Sequence, residues 1–128
     1  MKVLDTTFLI DLLDGKKETL NIIESEGPLF TTQINMYELI RGLYLEKTSD
    51  EDIKKSMHLF ESITVLPFDN FAALKSAEIF ARLIKKGLRI PNGDCMVAGT
   101  TISKGFATVV TRNVKDFKRI KELKVESY

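Results

Sequence analysis

The chain has 128 residues, 44% of them hydrophobic and 29% charged, with a net charge of +1 at pH 7. These proportions exclude a disordered chain, and the near-neutral balance excludes a global field that draws the protein to nucleic acid or membrane, so any polyanion site must be a local patch. One cysteine, Cys95, excludes an intramolecular disulfide and a cysteine-rich zinc site, and no run approaches the roughly 18 apolar residues of a membrane span. The opening MKVLDTTFLIDLLDG carries Asp5 and Asp11 inside its apolar stretch and lacks a small-residue cleavage site, so it does not read as a signal peptide. The expectation is a single domain over residues 1–128, in the cytoplasm.

Residues 2–5, KVLD, read as a short strand ending at Asp5, after which Thr6 or Thr7 caps a helix through about Leu13. Residues 16–26 place Leu20, Ile23 and, less cleanly, Ile22 on one side of a second helix, broken by Gly27-Pro28. LFTT at 29–32 is the next strand. Thr32 opens a helix to about Lys47 whose apolar side carries Ile34, Tyr37, Leu39, Ile40, Leu43 and Tyr44. Ser49 followed by Asp50, Glu51 and Asp52 starts a fourth helix to Glu61 or Ser62, since acids favour the positive helix end.

TVLPF at 64–68 reads as a strand, and Pro67 places it at a sheet edge. Asp69 or Asn70 caps a long helix to Lys86, closed by Gly87. Residues 94–104 form a small-residue helix with its N-terminus at Asp94. ATVVT is a doubly buried strand, a turn of helix follows at about 116–121, and a last strand lies near KVES. Such alternation, with right-handed crossovers, predicts a three-layer α/β/α sandwich around a mostly parallel sheet of about five strands. Ligands in such folds bind beyond the carboxyl ends of the strands, where the strand order reverses.

That rule directs attention to the acids. Asp5 ends the first strand; Thr111 ends the fourth, with Arg112, Asn113 and Asp116 just beyond. Asp94 starts the helix leading into the fourth strand, and Glu38 interrupts the apolar MYELI of the third helix. Each has an ordinary reading alone: Asp5, Asp94 and Asp116 as helix caps, Glu38 as an exposed helix residue, Thr111 and Asn113 as turn chemistry. Together they place four carboxylates near one crevice, where their repulsion calls for a cation. Oxygen ligands without His or Cys suit Mg²⁺ or Mn²⁺, which engage phosphates and activate water. Arg112, Lys115, Lys118, Arg119 and Lys121, with Arg82, Lys85, Lys86 and Arg89, either solvate the surface or meet RNA phosphates. His58 reads as a surface or boundary residue and Cys95 as a small buried one.

The ordered set VLDTTFLIDLL, YELIRGL, GDCMVAG and TRNVKDF resembles the four acidic motifs of PIN domains, and more narrowly those of VapC-type toxins of toxin–antitoxin pairs. The resemblance spans nearly the whole chain. It implies a Mg²⁺- or Mn²⁺-dependent endoribonuclease that leaves 5′-phosphate and 3′-hydroxyl ends, with Asp5, Glu38, Asp94 and Asp116 as the metal-binding, catalytic acids. It also implies Thr6 and Thr111 as supporting hydroxyls, Asn113 as their polar partner, a homodimer, and a cognate antitoxin that blocks the site. Arg112, Lys115, Lys118 and Arg89 are the candidate RNA contacts. Thr7 stands where the family often has Asn or Ser, and Cys95 and Gly99 are less usual than apolar residues or Ala.

Two other functions compete. A phosphoacceptor receiver domain would use Asp69 as acceptor and Thr111 as its hydroxyl, but Asp5 lacks an acidic neighbour. A catalytically silent PIN-like interaction module shares the fold without the chemistry. The third helix, with Tyr37 and Tyr44, and the long helix after Asp69 are the candidate partner surfaces.

Overall fold

The computed structural model describes residues 1–128. Five strands of three residues each, β1 (Lys2–Leu4), β2 (Phe30–Thr32), β3 (Thr64–Leu66), β4 (Thr108–Val110) and β5 (Lys124–Glu126), form one all-parallel sheet in the order β3-β2-β1-β4-β5. The order reverses between β1 and β4, which pair in register from Lys2 with Thr108 to Leu4 with Val110. The helices are α1 (Thr6–Leu13), α2 (Lys17–Ser25), α3 (Gln33–Leu45), α4 (Asp50–Ser62), α5 (Asn70–Lys85), α6 (Asn92–Ser103) and the single turn α7 (Val114–Phe117).

Successive side chains on a strand point to opposite faces, and the two faces bury different helices. Val109 joins Ile79 and Leu83 of α5, Val97 and Ala98 of α6, and Phe117, Ile120 and Leu123 in one cluster. Leu4 and Val110 join Phe8 and Leu9 of α1, Leu39 of α3, and Phe60 and Ile63 in the other. The sheet is thus the middle of three layers. Full burial of side chains such as Phe8, Phe117 or Ile79 stabilises by about 1.5–3 kcal/mol each.

The expected edge strand before Pro67 is β3, at the end of the sheet. Thr32, Ser49 and Asp69 cap their helices as expected, accepting from the amides of Asn35, Asp52 and Ala72. Elsewhere the structure corrects the reading. Asp5, rather than Thr6 or Thr7, caps α1. α6 and α7 each begin two residues before the expected start, because Pro91 and Asn113 are the caps. Leu20, Tyr37 and Tyr44 are exposed by 42%, 61% and 65%, so these members of their stripes face outward, while Leu39, Ile40, Ile22 and Ile23 pack inward.

Gly99 explains its own presence. A Cβ there would stand 2.6 Å from the Ser76 amide nitrogen and 2.7 Å from its Cα, so α5 and α6 cross in near backbone contact. Replacing Gly99 with Ala forces the helices apart, with an expected loss of about 1–3 kcal/mol in urea unfolding. Because the clash includes backbone, adding Ser76→Gly is expected to leave most of that loss in place.

Candidate active site

Asp5 leaves the end of β1 and turns back to cap α1. Its Oδ1 accepts from the Phe8 amide at 3.1 Å and the Thr7 hydroxyl at 2.7 Å, and its Oδ2 accepts from the Thr111 hydroxyl at the end of β4. The adjacency of β1 and β4 is what brings Thr111 there. Thr7 Oγ1 accepts from the Arg112 amide at 3.0 Å, and Thr111 Oγ1 accepts from the Asn113 amide at 2.8 Å, so the loop after β4 is stitched to the start of α1.

Glu38 on α3 reaches the same place from the other side. Its Oε1 accepts from the Thr6 hydroxyl at 2.7 Å, and Thr6 in turn accepts from the side-chain amide of Asn35 at 3.0 Å. Asn35 is 1% exposed and fixed by Thr32, whose hydroxyl donates to its Oδ1 at 2.7 Å. On α6, Asp94 accepts from the Asn113 side-chain amide at 2.9 Å; the same amide lies 3.2 Å from Asp116 Oδ2. The result is a cleft of about 210 Å³ lined by Asp5, Thr6, Thr7, Asn35, Glu38, Arg41, Asp94 and Asn113, with no hydrophobic residue among them. Asp116 stands just outside this lining, tied in through Asn113.

Electrostatics set the character of the cleft. Burial, joined by repulsion from Asp116, Glu38 and Asp5, pushes the Asp94 carboxyl up to about 7; the Asn113 bond opposes this. Burial also raises Asp5, against its bonds from Thr111, Thr7 and Phe8. No three acidic side chains converge closely enough to close on an ion; hydroxyl and amide donors fix them around an open cleft.

All of the expected acids, with Thr6, Thr111 and Asn113, therefore meet in one region. The basic residues are more scattered. Arg112 is half-exposed beside the cleft, and Lys115, Lys118 and Arg89 are exposed. Arg82 is taken by Glu122 through two bonds of 3.0 and 2.5 Å, and Arg119 donates to the Arg89 carbonyl at 2.9 Å. Asp69 pairs with Lys104 and follows β3, with β2 and β1 between it and β4. It does not share a crevice with Thr111, so the receiver arrangement is absent. His58 is exposed beside Glu61, and Cys95 is buried in the core.

Three residues escaped the sequence reading. Asn35 sits within a helical run where its burial is decided only by the approach of α3 to α1. Gly93 lets Glu38 lie against the start of α6: a Cβ there would stand 2.6 Å from Glu38 Oε2. Asp11, 2% exposed, binds Lys16, Arg112 and Tyr128. Burial disfavours its charge, but the bonds from Tyr128 and Lys16 and the charge of Arg112 outweigh that and lower its pKa. A lone acid inside TFLIDLL, three residues after the buried Phe8, was the available signal.

Comparison with known proteins gives the chain its relatives. The family model of the PIN domain matches residues 2–123. The chain is 31% identical to Ribonuclease VapC1 of Rickettsia felis, over 96% of this chain and 92% of that one. It is 28% identical to the tRNA(fMet)-specific endonuclease VapC of Salmonella typhimurium, over 98% and 96%. The crystal structure of DNA-bound VapBC from Salmonella typhimurium matches with a TM-score of 0.86 at 28% identity, covering 98% of this chain and 96% of that chain.

The raised Asp94 carboxyl has a stability consequence. An unfolded Asp titrates near 3.9, so the folded, metal-free protein holds the extra proton between about 4 and about 7. Stability therefore falls as pH rises through that window. Asp94→Asn removes the repelled charge and is expected to melt higher than the parent at pH 8 in EDTA, by about 1–3 kcal/mol after discounting for partial exposure. The difference should narrow as pH falls towards 4; a melting temperature series in EDTA checks this.

Proposed function

The chain belongs to the PIN-domain family, with VapC ribonucleases as its relatives, and we propose that Asp5, Glu38, Asp94 and Asp116 form the divalent-metal centre with which it cleaves RNA. It is an endoribonuclease of the toxin–antitoxin kind. Nucleases of this kind generally depend on a divalent metal, and the donors here fit Mg²⁺ or Mn²⁺. The cleft offers carboxylate, hydroxyl and amide oxygens and no His or Cys. The observation that carries the reading is the convergence of Asp5, Glu38 and Asp94 on one cleft without a hydrophobic residue in its lining, with Asp116 tied in through Asn113, a crowding of negative charge that a cation relieves.

When bound, such an ion supplies an activated water and charge for the leaving oxygen of an in-line phosphodiester hydrolysis. The chain's own residues prepare the site. Thr7, Thr111 and the Phe8 amide fix both oxygens of Asp5, and Thr6 fixes Glu38. Asn113 holds Asp94 and Asp116 as neighbours with one amide. Arg112, Lys115, Lys118 and Arg89 offset the acids by meeting RNA phosphates. Residues 1–128 act as one PIN unit in the cytoplasm. Its partners are RNA, a cognate antitoxin and a second copy of the chain; the exposed Tyr37 and Tyr44 of α3 and Phe71 and Leu74 of α5 are the protein-facing candidates.

Incubation of the antitoxin-free chain with structured RNAs in Mn²⁺, Mg²⁺ or EDTA tests the reading. Cleavage is expected with metal and lost in EDTA, and Asp5→Asn and Asp94→Asn are each expected to lower it by at least about 100-fold, on the scale of a lost charge-stabilising group. If calorimetry shows no Mn²⁺ binding and no RNA is cut, the silent interaction module replaces this reading. Gly93→Ala offers an independent check. Glu38 is the far end of a flexible side chain and can swing aside, so the variant is expected to fold with unchanged melting temperature in EDTA. Its Mn²⁺ affinity and cleavage should both fall, because a 1 Å misplacement can cost about 100-fold.

A further inference from the structure

Asp11 is the buried acid that the nuclease chemistry leaves unused. Its Oδ1 lies 3.0 Å from Lys16 Nζ, while its Oδ2 accepts from the Tyr128 hydroxyl at 2.7 Å and lies 2.7 Å from Arg112 Nε. Tyr128 is itself seated edge-on against Phe8, with ring centroids 5.0 Å apart. Taking a carboxylate out of water costs several kcal/mol unless its partners are well placed. An apolar residue at this position of TFLIDLL would avoid that cost, so packing alone does not account for an aspartate.

Of the three partners, Arg112 is the one that reaches the cleft. Arg112 sits between Thr111 and Asn113, the two residues that the loop after β4 sends into the cleft, and its amide donates to Thr7. Its side chain keeps 51% of its surface exposed and lies close enough to Asp5 to feel that charge. A free arginine so near the acids would fold onto them. With Nε held by Asp11 and the guanidinium against Tyr128, the planar fork is fixed at the rim with half of its surface open to an incoming anion.

We propose that Asp11 is a positioning residue, which with Tyr128 braces Arg112 at the rim of the cleft so that its guanidinium takes a phosphate of the bound RNA. The identity of the anion as RNA rests on the nuclease reading; the brace itself rests on the contacts. Arg112 thereby supplies positive charge beside the four acids without neutralising them.

Fluorescence anisotropy of a labelled tRNA transcript, across a salt series in Mg²⁺, measures the effect in an Asp94→Asn background that prevents cleavage. Asp11→Asn is expected to weaken binding by about three- to tenfold and to reduce the log-affinity against log-salt slope by about one phosphate contact. Arg112→Gln should do the same, and the combined variant should lose nothing further. Tyr128→Phe removes only one hydroxyl from the brace and should weaken binding by about twofold; it decides the matter if circular dichroism shows Asp11→Asn unfolded. Unchanged affinity and slope in the folded variant overturn the proposal, as do additive losses or parent binding without salt dependence. Cleavage by the chain with Asp94 intact is scored separately: a slope change without any cleavage defeats the nuclease reading and leaves the brace standing.

Discussion

The hydrogen bond from Thr111 to Asp5 is the contact on which the site depends. It joins residues 106 positions apart, and it exists because β1 and β4 are neighbours at the reversal of strand order. From it the rest of the cleft can be traced. Thr111 orients the loop that delivers Asn113, Asn113 holds Asp94 and Asp116, and Asp5 caps α1, whose first residue Thr6 orders Glu38. Strand pairing and acid placement are therefore one constraint. A slip of β1 against β4 by one residue would put Leu4 and Val110 on opposite faces of the sheet and separate Asp5 from Thr111 together.

The acids are held against their own repulsion. Every donor bonded to them is neutral: threonine hydroxyls, an asparagine amide, a backbone N–H. Such groups fix direction without cancelling charge, so the cleft retains a negative field that only a cation or a proton removes. The protein thus gives up stability at the site and recovers it in the two apolar clusters on either face of the sheet. Arg41 borders the cleft, yet it lies over the Tyr37 ring at 5.1 Å and is not paired with an acid.

Much of this was legible in the sequence. Short apolar runs ending in Asp5 and Thr111, separated by amphipathic stretches, carry the layer order, and the switch-point rule then gathers the acids. What the pattern could not carry is which members of an apolar stripe face the core. Tyr37, Tyr44 and Leu20 have helical spacing but point outward, because periodicity distinguishes one side of a helix from the other and not core from open surface. Asn35 and Gly93 were invisible for a related reason. Their roles come from contacts between α3, α1 and α6, which no single segment records. Asp11 was visible as an anomaly, an acid on a buried face, but its partners lie at residues 16, 112 and 128.

The 106-residue span between Asp5 and Thr111 also bears on when the chain becomes dangerous to its maker. The N-terminal segment emerges first from the ribosome, carrying Asp5 and later Glu38 with nothing to complete them. Thr111 is made 106 residues after Asp5, and β4 must then insert beside β1 before the cleft exists. A product that stops before β4 carries Asp5, Glu38 and Asp94 and neither the strand nor the loop that orders them. In such a product Asp5 lacks its bond from Thr111 and Asp94 its bond from Asn113, so the acids are present without the geometry that gathers them.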